Sequence, residues 1–193
     1  MSPGEVVYKG KSKKGKPFFI RYFKLGDESL LTEYINTLSK EETYISFQGE
    51  QLTVASEEKY VTSQVKKIQE QKTVDLLAFC GEDLIGVSDV HMQERKSNSH
   101  EGVFGISIAK GYRDEGIGSI LLDLTISEAE KNLKGLKIIT LGVFENNPQA
   151  IKMYEKRGFK VSGKIPKGLL HRGEYVDHLF MYKFVREFVS SIS

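Results

Sequence analysis

The stretch ISIAKGYRDEGIGSILL occupies residues 106–122. It opens with a short apolar run, Ile106-Ser107-Ile108, passes through a polar loop with glycines, and enters a strongly periodic segment. Ile117, Ile120, Leu121 and Leu124 share one helical face, and Leu122, Ile126, Ala129 and Leu133 form a second stripe. The pattern predicts a helix buried over much of its girth. Between strand and helix lies Arg113-Asp114-Glu115-Gly116-Ile117-Gly118, followed by Ser119. Two glycines at the first turn leave backbone N–H groups unpaired and unobstructed, a geometry that accepts phosphate oxygens. Arg113 adds a forked cationic donor. The pattern is neither G-x-G-x-x-G nor a lysine-bearing phosphate loop.

A second stretch follows at residues 141–159, LGVFENNPQAIKMYEKRGF. Asn147 suits an N-cap, Pro148 the first helical position, and Lys156 and Arg157 the last turn before Gly158. A short helix is expected from about residue 148 to 157. Helical spacing places Asn147, Ala150, Ile151 and Tyr154 on one face.

Together the two stretches resemble the GCN5-related N-acetyltransferase (GNAT) superfamily. The first matches its R/Q-x-x-G-x-G/A block and the second its N-x-x-A-x-x-x-Y-x-x-x-G-F block, in the same order. The resemblance implies an α/β fold: a mixed central sheet flanked by helices, with a splayed parallel strand pair. It also implies acetyl-CoA as co-substrate. The pantetheine arm would lie along Ile106, Ser107 and Ile108. The pyrophosphate would sit over Arg113, Asp114, Glu115, Gly116, Ile117, Gly118 and Ser119, with the Asp114 and Glu115 side chains turned to solvent. Asn147 would contact the cofactor arm, and Tyr154 would protonate the leaving thiolate. The implied reaction is direct acetyl transfer to a primary amine within a ternary complex. The acceptor is a small molecule or a protein N-terminus or lysine, and a homodimer is compatible with the resemblance.

The frame is that of an ordinary globular chain. It has 193 residues, 39% apolar and 28% charged, with a formal net charge of +2. Such a balance points neither to nucleic acid nor to a membrane. Cys80 is the one cysteine, which excludes an intramolecular disulfide, and its apolar surroundings suit a small core residue. The histidines lack metal-ligand spacing, so no metal site is expected. No apolar run has the length of a membrane span and no signal core opens the chain, which makes a cytoplasmic protein the default.

Residues 1–16 carry five lysines and read as a basic, mobile arm, with an acetyltransferase domain over 17–193. Strands are expected at 17–23, 73–80, 84–92, 101–109, 137–143, 160–165 and 175–182. Helices are expected from Asp27 to about 38, from Ser56 to about 71, and over the two stretches above. Residues 166–173 read as a glycine-rich loop and 184–193 as a short amphipathic tail.

An alkylammonium with a pKa near ~10.4 must lose a proton before it attacks. Some family members carry a glutamate base where this chain has Gly142, so the base must come from elsewhere; Glu101, Asp89 and His91 are the candidates. Glu41, Glu42 and Tyr44 on one side and Glu174, Tyr175 and Asp177 on the other would line the acceptor cleft and favour cationic amines. Two readings compete with the enzyme: a module that binds acyl-CoA without turnover, and a nucleic-acid binder acting through the basic arm.

Overall fold

The computed structural model describes residues 1–185 and 188. Eight strands form one mixed sheet: β1 (Val6–Lys11), β2 (Pro17–Tyr22), β3 (Thr73–Cys80), β4 (Asp83–Met92), β5 (Glu101–Ile108), β6 (Ile138–Phe144), β7 (Lys160–His171) and β8 (Glu174–Phe184). Their spatial order is β1-β2-β3-β4-β5-β6-β8-β7. Among the described residues four α-helices cover it: α1 (Glu28–Lys40), α2 (Val54–Gln69), α3 (Ile117–Asn132) and α4 (Pro148–Glu155). Among the described residues no helix is long and apolar enough to cross a membrane.

Side chains alternate across a strand, so cross-strand partners share a face. Gly86 pairs with Ala78, and a Cβ there would meet Leu121 of α3 at 3.2 Å. Three residues along, the paired Asp75 and Asp89 lie on the opposite face, where their charges reach Tyr60 of α2. Thus α3 covers one face of the central strands and the α1–α2 pair the other. The strand β3 is buried nearly throughout, as expected of a strand covered on both sides.

Several sequence expectations change. Residues 1–16 are not a free arm: Val6–Lys11 pairs antiparallel with β2 as the outer strand of the sheet. Its alternation is masked by lysines and glycine, because an edge strand needs little apolar surface. Asp27 precedes α1 without capping it through its side chain. Its carboxylate instead takes both guanidinium nitrogens of Arg21, at 2.7 and 2.8 Å, in a buried bidentate pair. The N-cap of α2 is Thr53, reciprocally bonded with Ser56 in a capping box. The expected loop at 166–173 is strand: β7 runs to His171 with an irregularity between Ile165 and Leu169. Arg172 and Gly173 then turn the chain at φ 52° and 79°, the left-handed pair of a tight hairpin. The tail expected at 184–193 lies mostly outside the described residues.

The feature that positions the site is the pairing of β5 with β6. These strands run parallel and bond only over Glu101–Val103 against Ile138–Thr140. Beyond that point each remains paired on its outer side, β5 to β4 and β6 to β8. The two inner edges therefore part toward their C-terminal ends.

Leu121 is fully buried in α3 against Gly86. Leu121→Ala should lower the unfolding free energy by about 2–5 kcal/mol, the usual cost of such a cavity, as read by denaturant titration.

Candidate active site

The gap between β5 and β6 opens into a cavity of about 1120 Å³. Its walls come from the parted strands, the Gly loop, α4, residues 43–47 and the final hairpin. At one end stands the start of α3. Gly116 holds φ 81°, a left-handed conformation that glycine takes without strain, and is the helix N-cap. A Cβ at Gly118 would stand 3.4 Å from Ile108 Cγ1, ordinary contact, so the absent side chain leaves space on the cavity side. Ile106, Ser107, Ile108, Arg113, Asp114, Gly116, Gly118 and Ser119 all line the cavity.

Two residues of the loop do not. Ile117 is buried in the core. Glu115, expected in solvent, is 1% exposed. Its carboxylate accepts a 2.7 Å hydrogen bond from Ser12 Oγ and pairs with the Lys14 and Lys16 ammonium groups at 3.3 Å. The Ser12 bond and the two lysines hold it below the usual carboxylate range. Asp114 is exposed and accepts from Gln149 Nε2. Arg113 donates from Nε to the Ile108 carbonyl at 2.9 Å and from Nη2 to Glu41 at 2.8 Å, so its charge is shared with a carboxylate.

The helix α4 carries the second group of residues. Asn147 Oδ1 accepts from the Ala150 N–H at 3.2 Å, which caps the helix and leaves the amide NH₂ as its offer to a ligand. Tyr154 lies in the cavity wall, 7% exposed, with its ring edge-on to Phe104 at 6.1 Å. Burial pushes its phenol up to about 12, so it is protonated at neutral pH and can donate.

On the α1–α2 face the cavity is acidic. Glu57, Asp75 and Asp89 line it, with Tyr60. His91 Nε2 lies 3.0 Å from Asp89 Oδ2 and 3.5 Å from Asp75 Oδ1, and its Nδ1 is 2.6 Å from Thr73 Oγ1. Burial alone would lower His91, but the hydrogen bond and charge of Asp89, with Asp75, carry it up to about 9. Burial raises the Asp75 carboxyl, partly opposed by His91. Of the three candidate bases, Asp89 therefore reaches the cavity and His91 stands behind it as a cation. Glu101 does not line the cavity and accepts from Thr140 Oγ1 at 2.8 Å.

The expected acceptor carboxylates are differently engaged. Glu41 is bound to Arg113, and Asp177 to Lys164 at 2.7 Å. Glu42, Glu174 and Tyr175 are absent from the lining, and Tyr175 is 71% exposed. Of that set only Tyr44 faces the cavity, its hydroxyl donating to the Asn146 carbonyl at 2.9 Å. Glu41 and Asp177 each meet a basic partner elsewhere in the chain, which spacing alone does not reveal.

The sequence offers His178 only as a histidine without metal-ligand spacing, and its place in the cavity was not legible there. It lines the cavity, and a Cβ on Gly142 would collide with its Nε2. The imidazole thus fills the place that a side chain at 142 would take. Burial lowers its pKa below the ordinary histidine value, leaving it neutral at pH 7. The one available signal was Gly142 itself, since a glycine inside a strand marks a close approach by another group.

The acetyltransferase (GNAT) family model matches residues 35–159. The L-amino acid N-acetyltransferase AaaT of Escherichia coli (strain K12) is 35% identical over 106 residues, 55% of this chain and 65% of that protein. The match thus spans just under two thirds of that relative's length. An acetyltransferase of the GNAT family from Streptococcus pneumoniae superposes with a TM-score of 0.79 at 28% identity, over 87% of this chain and 99% of that one. For yncA from Salmonella typhimurium, solved with its cofactor acetyl-CoA, the values are 0.76, 18%, 88% and 95%. Spermidine N-acetyltransferase from Vibrio cholerae, in complex with CoA and spermine, gives 0.70, 21%, 89% and 98%. At their identities, the last two speak for the fold alone.

Gly118→Val should keep the fold, since its Cβ meets only ordinary contacts, yet fill the cavity at the start of α3. We expect CoA affinity to fall more than about tenfold, equivalent to about 1.4 kcal/mol, by titration calorimetry. Unchanged affinity in a folded variant would remove the Gly loop from the site.

Proposed function

Because the chain belongs to the acetyltransferase (GNAT) family, we propose that it moves an acetyl group from acetyl-CoA to a primary amine, directly, with both substrates bound. The observation that carries this reading is the parting of β5 from β6 over a cavity with the Gly loop at one end and Tyr154 in its wall. The residues fit the cofactor. The parted strand edges offer backbone groups to an amide-bearing arm, and the start of α3 offers N–H groups to its phosphates. In this reading a backbone N–H of β5 would stabilise charge developing on the thioester oxygen.

In this reading the amine nitrogen bonds to the thioester carbon and the carbon–sulfur bond breaks. His178, neutral and in the cavity, takes the proton that the ammonium must lose. Tyr154 donates its proton to the departing sulfur and regains one from the second proton that the amine nitrogen sheds as the amide forms. Its elevated pKa makes it a hydrogen-bond donor throughout the working pH range and not a competing base. Asp89, in the cavity wall and paired with the His91 cation, offers a carboxylate to the incoming ammonium.

For the acceptor we propose an amine of the amino-acid class. Two features support it. The cavity carries both signs, with Glu57, Asp75 and Asp89 on one wall and Arg172 on another. The relative from Escherichia coli is named for L-amino acids. A polyamine is the competing acceptor, since the acidic wall would also hold a second ammonium.

Thiol release from acetyl-CoA, measured across L-amino acids, polyamines and peptides, tests the function. Amino acids should give the highest kcat/KM; release at background with every amine would leave a binding module in place of an enzyme. Tyr154→Phe should lower kcat by about 10²–10⁴-fold with little change in acetyl-CoA affinity. A base with its pKa below about 6.5 is active above that pH and is lost as pH falls through it. The wild-type kcat should therefore decline on the acid side, and His178→Gln should be slower and lack that limb. A His178→Gln variant with the wild-type rate and profile would rule out this base.

A further inference from the structure

The five lysines near the N-terminus are left without a role by the proposed reaction, yet the hairpin that carries them ends at the Gly loop. Residues 12–16 form the turn between β1 and β2, closed by Ser12 N–H to the Lys16 carbonyl at 2.8 Å and Gly15 N–H to the Ser12 carbonyl at 2.8 Å. This tip is bolted to the loop. The Lys13 N–H donates to the Glu115 carbonyl at 2.9 Å. The buried Glu115 carboxylate takes Ser12, Lys14 and Lys16 together. Lys16 also stands 4.7 Å above the Tyr112 ring, on the other side of Arg113.

Lys13 differs from its neighbours. Its side chain crosses Gly116, with Cγ and Cε 3.3 Å from where a Cβ would sit, and it lines the cavity beside Arg113, Gly118 and Ser119. Among the described residues its ammonium meets no carboxylate within ion-pair distance. Arg113 is half-neutralised by Glu41, so the loop's own cation is a weak match for a ligand with a pyrophosphate and a ribose phosphate.

We propose that the β1–β2 hairpin tip is part of the cofactor site, with Lys13 as a phosphate-binding cation seated there by Glu115. This rests on the reading of the cavity as a CoA site. It adds a segment outside the region matched by the family model, which begins at residue 35. Glu115 is a positioning residue: an acidic side chain next to a phosphate loop is tolerated because it is turned away and neutralised by the lysines it gathers.

Calorimetric titration of the full chain with CoA and with 3′-dephospho-CoA tests the proposal. Lys13→Ala should weaken CoA about tenfold and make its affinity less dependent on salt. Lys13→Arg should retain most of the affinity, and Lys9→Ala, on the same hairpin but outside the cavity, should match wild type. Glu115→Gln should weaken CoA too, and combining it with Lys13→Ala should add little, because the two act through one contact. An equal Lys13→Ala penalty for both ligands assigns Lys13 to the pyrophosphate; a penalty for CoA alone assigns it to the ribose phosphate. Either outcome supports the proposal. If Lys13→Ala binds both ligands like wild type while Gly118→Val loses CoA, the hairpin has no part in the site. If wild type itself fails to bind CoA, the reading of the cavity falls and this proposal with it.

Discussion

The brief pairing of β5 with β6 is the constraint on which the rest of the molecule depends. Two parallel strands that bond at only three positions and then separate leave backbone donors and acceptors unmatched along both inner edges. Unpaired backbone groups in an interior are costly unless water or a ligand meets them. Nearby packing holds the strands apart. Phe104 on β5 meets Tyr154 and Phe159, which follow β6 in the chain, at 6.1 and 6.4 Å, so aromatic rings bridge the two strand ends. The outer pairings to β4 and β8 hold each strand rigid while its inner edge stays open.

Charge is distributed around that opening in balanced pairs. Arg113 is held by Glu41, Asp177 by Lys164, Glu115 by a serine and two lysines, and Asp27 by Arg21. What stays uncommitted is therefore informative. Lys13 near the start of α3, with no carboxylate at ion-pair distance among the described residues, is a charge that a ligand could meet. Neutral His178 adds no charge to the cavity that it lines.

Much of the architecture was legible in the chain itself. Alternation and short apolar runs located the central strands, and the double stripe of α3 predicted a helix buried over much of its girth. Asn147-Pro148 and Gly158 framed α4, because capping chemistry is local. The edge strand β1 and the far half of β7 were not legible. Edge and hairpin strands are mostly solvated, and their residues carry polar patterns that resemble loops.

The sequence by itself determined the motif chemistry: a helix start stripped of side chains, a capped helix bearing Tyr154, and the order of elements that brings both to one end of a sheet. These depend on contacts within a few residues, where spacing dictates geometry. Only the tertiary structure decided which charges are free. Glu115 bonds a residue 103 positions away, Arg113 one 72 positions away, and His178 fills the space left at Gly142 from a neighbouring strand. Partners of that kind are set by the sheet's register and the closure of long loops, and no local pattern along the chain records them.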